Sequence, residues 1–111
     1  MKQIKEVILD LGEDKEVNFI FKNCNNCVCG SCFYISGNKV KYVNDVQVFI
    51  VRKSDDKILY KTSSDEDGKY YFSDVRPNKY YLKAIAKGYQ ALGKVLNINN
   101  ENKIYLQDLI F

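Results

Sequence analysis

Four cysteines, Cys24, Cys27, Cys29 and Cys32, fall within the nine residues CNNCVCGSC, and the chain has no others. Four thiolates suit Zn²⁺ or an iron–sulfur cluster, and a C-x-x-C turn aims two sulfurs at one ion. Here only Val28 separates the two C-x-x-C units, so the loop that normally wraps such pairs around a metal is missing. If residues 28–35 form a strand, Cys29 faces away from Cys32, and four sulfurs on one extended strand cannot converge within one chain. The blander reading makes Cys32 a small buried hydrophobe and the others free surface or loop thiols. A metal site built by a loop or between subunits, and disulfides, stay open beside it. A thioredoxin-like role has no βαβ pattern to support it.

Other chemistry is sparse. The chain contains no histidine, which removes the commonest general base, the Ser-His and Cys-His pairs, and mixed Cys/His metal sites. Asp65, Glu66 and Asp67 in DEDG supply oxygen ligands of the kind Ca²⁺ takes, but the same letters are hairpin-turn chemistry and lack EF-hand spacing. Asp55 and Asp56 in KSDDK read as a turn. No enzyme and no cofactor are expected.

The elements that position these groups follow a period of two. Val17, Phe19 and Phe21 share a face, as do Val46, Val48 and Ile50, opposite Gln47, Phe49 and Val51. KYYF, KYYLKAIA, GKVLNI and KIYLQDLIF alternate similarly, with turn chemistry at LGEDK, SGNK, KSDDK, DEDG, RPNK and NNEN. Eight or nine short strands without a long amphipathic window predict an all-β, antiparallel Greek-key β-sandwich. Residues 1–23 are expected to add an N-terminal strand or hairpin, and 24–111 the sandwich. Over residues 3–11 helical spacing competes, but β-branched content and Gly12 favour a strand paired with 16–22.

At 111 residues this is one domain with room for an apolar core. Its formal charge of +3 is mild, with Lys interleaved among Asp and Glu, which argues against nucleic acid. No signal peptide or membrane-spanning run is visible, so the expectation is cytoplasmic by default, or surface-exposed if a leader or parent protein is missing.

From about Gly30 to Ile98 the sequence resembles the carboxypeptidase regulatory-like domain, a transthyretin-like β-sandwich. VNDVQVFIV and SDEDGKYYFSDVRPNKYYLKAIAKGY carry the likeness. Val46, Val48 and Ile50 match its A-x-V-x-V strand; Asp65, Gly68, Tyr70 and Phe72 match its T-D-x-x-G-x-Y-x-F hairpin. Pro77, Tyr80 and Leu82 match P-G-x-Y-x-L, and Gly88 and Tyr89 the closing G-Y, while Gly30-Ser31-Cys32 fits the opening G-x-V. Asn78 replaces the Gly after Pro and is expected to keep a left-handed turn. The resemblance implies a module that accompanies catalytic domains or decorates surface proteins without being an enzyme.

Alternation places Phe49, Tyr71, Tyr81 and Ile85 away from the core. Cross-strand pairing accounts for them as sheet stabilisers, but a second apolar face also marks a contact surface. The expected function is therefore a non-catalytic binding or structural module that offers a sheet face and loops to a protein or glycan. A homo-oligomer sealed by residues 1–22 fits this reading; nucleic acid and membrane insertion do not. The alternative is a small metal or thiol protein using Cys24, Cys27, Cys29 and Cys32 for Zn²⁺ or an iron–sulfur cluster.

Overall fold

Strict alternation of apolar and polar side chains gives strands wherever turn residues interrupt it, and the computed structural model follows that rule through the described residues, 26–99 and 103–111. The strand or hairpin expected over 1–23, with its LGEDK turn, lies outside them, as do Cys24 and most of NNEN. Nine strands are present among the described residues: β1 (Cys27–Ser36), β2 (Lys39–Tyr42), β3 (Gln47–Arg52), β4 (Ile58–Ser63), β5 (Lys69–Phe72), β6 (Asn78–Ile85), β7 (Leu92–Ile98), β8 (Ile104–Leu106) and β9 (Leu109–Ile110). No helix occurs among the described residues.

Two sheets enclose the core. Sheet two runs β4-β3-β6-β7, antiparallel throughout. Sheet one is built around β1, which has two strands end to end along each edge. One edge takes β5 antiparallel from Val28 to Ser31 and then β2 from Phe33 to Ser36. Cys32 forms the joint: its N–H donates to Gly68 O at 2.7 Å and its carbonyl accepts from Val43 N at 2.9 Å. The other edge takes β8 and then β9, both parallel to β1, a parallel seam that the antiparallel expectation did not contain.

The residues from 103 to 111 were expected as one strand, and they break at Gln107 and Asp108. The cause is visible at Gly30, where a Cβ would sit 2.0 Å from the Gln107 carbonyl oxygen. Only a residue without a side chain admits that backbone. The carbonyl so placed accepts the Tyr70 hydroxyl. Asp108 repairs the ladder with its side chain, whose Oδ1 accepts from Ser31 N at 2.9 Å. Across the sandwich, Lys94 Nζ donates to Asp108 O at 2.9 Å.

Val28, Cys32, Val46, Val48, Ile50, Tyr70, Phe72, Tyr80, Leu82, Ala84, Leu96, Ile98 and Leu109 fill the core. Phenol groups are buried there because each hydroxyl has a partner. The Tyr80 hydroxyl donates to Arg76 O, four residues upstream, at 2.5 Å. The Tyr60 hydroxyl accepts from Arg76 N at 3.0 Å, so two tyrosines hold the loop before β6.

Turns form at SGNK, KSDDK and DEDG. Gly68 has φ +76°, and a Cβ there would lie 2.6 Å from Cys32 O. Asp65 Oδ1 accepts from Asp67 N and Lys69 N, both at 2.9 Å, so this carboxylate organises its own hairpin. At RPNK the expectation needs correcting. Asn78 is not left-handed; it already begins β6 and its Oδ1 accepts from Lys79 N. The left-handed residue is Asp74, φ 54°, so the chain turns three residues before Pro77. The crossover from β2 to β3 is clamped by buried Ser64, whose Oγ accepts from Val46 N at 2.9 Å and donates to Val43 O at 2.8 Å.

Two substitutions check this account by urea unfolding at unchanged m-value. Ser64→Ala strands a buried N–H and carbonyl and should cost about 1–3 kcal/mol. Gly30→Ala must push the Gln107 backbone aside and should cost roughly 3 kcal/mol or more. A loss below about 0.5 kcal/mol at Gly30 would show that the 107–108 break does not depend on it.

Candidate functional site

The faces turned away from the core are where the candidate residues separate. Phe49, Tyr81 and Ile85 lie together on the outer face of sheet two, with register pairs Phe49–Lys83, Val51–Tyr81 and Gln47–Ile85 joining β3 to β6. Tyr71 does not join them. It pairs with Cys29 in sheet one and faces outward on the opposite side of the molecule. Val51, expected outward, keeps Tyr81's side of the sheet by register but is only 2% exposed.

On sheet two the rings already have cationic company. Lys61 Nζ lies 6.0 Å from the Phe49 ring centroid, and Lys53 and Lys83 lie 5.8 and 6.0 Å from that of Tyr81. Ammonium groups over ring faces gain from the ring quadrupole, and they occupy surface on which a ligand would stack.

Sheet one presents the broader apolar face. Register places Cys27 beside Ile104 and Cys29 between Tyr71 and Leu106. Further along, Phe33 lies between Tyr42 and Ile110, and Ile35 opposite Val40. Of these, Ile35, Val40, Tyr42, Tyr71, Ile104, Leu106 and Ile110 are all more than a third exposed, Leu106 reaching 67%. Sequence reasoning found only Tyr71 of this set. The parity of β1 held the signal, since Phe33 and Ile35 share the side of Cys29. The β8 and β9 contribution had no such signal, because it depends on the break at Gln107.

The cysteines occupy the middle of this sheet. Cys32 packs in the core, while Cys27 and Cys29 take the other face of β1. Cys27 is disulfide-bonded, and Cys29 and Cys32 are free. The expectation that all but Cys32 are free surface or loop thiols is corrected for Cys27 and Cys29. Both are buried on that face, Cys29 with Tyr71 and Leu106 as its register neighbours. Zn²⁺ or an iron–sulfur cluster does not fit all four sulfurs of one chain, since Cys29 and Cys32 point to opposite faces. Among the described residues no cluster of three or more His, Cys, Asp or Glu is arranged for a metal.

Burial pushes the Cys29 thiol up to about 12, with Asp108 adding to the effect and Lys69 opposing it. Burial likewise pushes Cys32 up to about 12, with the neighbouring Ser64 side chain opposing it and Asp108 and Asp65 adding to it. A thiol held neutral is a poor nucleophile and a poor metal ligand at neutral pH.

Residues 31–110 match the family described as BOS complex subunit NOMO1-like, second beta sandwich domain. This chain belongs to that family. Its sandwich is of the transthyretin-like kind. Among curated proteins none matches. Solved structures share the fold at low identity. GBS52, the minor pilin of Streptococcus agalactiae, is 16% identical with TM-score 0.62, over 78% of this chain and 44% of that one. The Bacillus anthracis TIE protein is 18% identical with TM-score 0.57, over 78% of this chain and 17% of that one. A candidate carbohydrate-binding protein of Pseudomonas aeruginosa is 9% identical with TM-score 0.51, over 90% and 98%. The chain thus spans less than half the length of the first two.

The raised thiols yield a prediction. At pH 8 the native protein should leave Cys29 and Cys32 unmodified by a thiol-specific disulfide reagent, and both should react at once in denaturant. Rapid labelling of either in the folded protein, mapped by mass spectrometry, would contradict the burial described above.

Proposed function

We propose that this domain is a non-catalytic binding module that docks the outer face of sheet one onto another protein surface, most simply a second sandwich of its own kind. One observation carries the reading: seven large apolar side chains from five strands stand exposed on that face. Exposed apolar patches of this breadth are uncommon on isolated domains and mark contact sites. The family's own description supports it, naming a complex subunit with more than one sandwich. The carboxypeptidase regulatory-like pattern points the same way, since such modules accompany other domains. A chain without histidine has little with which to build an acid–base site, which favours binding over catalysis.

A glycan on the aromatic face of sheet two has less support, because the protein's own lysines lie over Phe49 and Tyr81. Sheet one has cationic cover at Tyr42, where Lys69 Nζ lies 5.5 Å from the ring centroid. Its aliphatic members have no polar group to satisfy when covered, so a protein surface suits them better than a sugar.

Light scattering tests the proposal. The protein, 12.9 kDa as a monomer, should gain mass between about 10 µM and 1 mM, the range expected of a modest apolar interface. Leu106→Glu with Ile110→Glu should weaken that association about tenfold or more, because burying a carboxylate in an apolar contact is costly. Both side chains are exposed, so the fold should tolerate the change. A monomer at every concentration would remove the self-docking version, and unchanged association in the double variant would place the contact elsewhere.

A further inference from the structure

We propose that the cleft at one end of sheet two binds a carboxylate-bearing sugar, a hexuronate, with Arg76 taking the carboxylate. The chain has seventeen basic residues, fifteen Lys and two Arg, and both arginines line this one cavity of about 440 Å³. That volume accommodates a single sugar ring within the usual range for small-molecule sites. Arg rather than Lys is the side chain that grips a carboxylate through two parallel N–H bonds.

The walls are held by the protein's own structure. Arg52 ends β3 and is fixed by Asp55 through two bonds, Nε to Oδ1 at 2.9 Å and Nη2 to Oδ2 at 2.7 Å. As a unit that pair is neutral, so it shapes one side of the cleft without supplying net attraction. Arg76 supplies it. Its backbone is pinned at both ends, N–H to the Tyr60 hydroxyl and carbonyl from the Tyr80 hydroxyl, while its exposed guanidinium has no partner among the described residues.

Tyr60 and Tyr80 meet edge to face at 6.2 Å between ring centroids, and their polar ends converge with both arginines. Burial and the neighbouring Tyr60 push the Tyr80 hydroxyl up to about 12, against Arg52 and Arg76. Leu59 and Pro77 complete an apolar wall. Leu59 reaches it because the register of β3 with β4 shifts between Ile50–Tyr60 and Val51–Ile58, leaving Leu59 as the extra residue. Such bulges re-aim a side chain. A pyranose offers one face of C–H groups to such a wall and a rim of hydroxyls, and a hexuronate adds the anion. This site lies apart from the docking face of sheet one and does not depend on it.

Titrating isotopically labelled protein with D-glucuronate, D-glucose and acetate, at low ionic strength, tests the assignment by amide chemical shifts. Saturable shifts clustered at residues 58–60 and 76–80 with glucuronate, absent with glucose and acetate at equal concentration, are the expected result. Added salt should weaken them. Arg76→Gln should lower the affinity about tenfold or more, the worth of a charge-assisted contact, while leaving the free spectrum dispersed as in the parent. Equal binding of glucose would show that the carboxylate is not read, and equal binding of acetate that the ring is not. Either result, a lack of saturable shifts with glucuronate, or unchanged affinity in Arg76→Gln would overturn the proposal.

Discussion

The fold depends on the hydrogen-bonding demand of one strand. β1 lies in the middle of its sheet, and buried backbone N–H and carbonyl groups must be paired. It meets that demand with four short strands, two along each edge. At the joints, where neighbouring strands stop, other groups serve: Gly68 O and Val43 N at Cys32, and the Asp108 carboxylate at Ser31. Each joint has a residue that permits it. Gly68 supplies a positive φ and lets the hairpin approach Cys32, and Gly30 lets the Gln107 carbonyl lie against β1.

Much of this was legible in the residues. Val46, Val48 and Ile50, then Tyr70 and Phe72, then Tyr80, Leu82 and Ala84 all point inward as alternation requires. DEDG and SGNK turn where turn chemistry says they should. What escaped was long-range. Nothing in KIYLQDLIF announces that the chain will run parallel to β1 or break halfway, because the cause is a glycine more than seventy residues away. Asn78 misled for a related reason: a left-handed residue was needed near the bend, but Asp74 met the need earlier.

The candidate site shows the same division. Each of Phe49, Tyr71, Tyr81 and Ile85 was correctly assigned to an outer face, because facing is local. Which outer face was not readable, because it depends on the sheet to which each strand goes. Tyr71 therefore parted from the other three, and the larger apolar surface formed from residues such as Tyr42, Leu106 and Ile110 that only pairing brings together. The cysteine stretch drew attention by its spacing. Its strand geometry instead buries Cys29 and Cys32 on opposite sides of one backbone, where they act as small apolar side chains and stay protonated.

The parallel seam of β8 and β9 along β1 has a kinetic corollary. A chain emerging from the ribosome exposes β1 before the other described strands, but the partners for one of its edges arrive only after β2 to β7 have been made. Until then a central strand has a bare rim, the kind of surface that recruits stray chains. Closing so large a loop carries an entropic toll before any ladder bond repays it, which slows productive assembly. In this sandwich, adding β8 and β9 and sealing the β1 edge are one event.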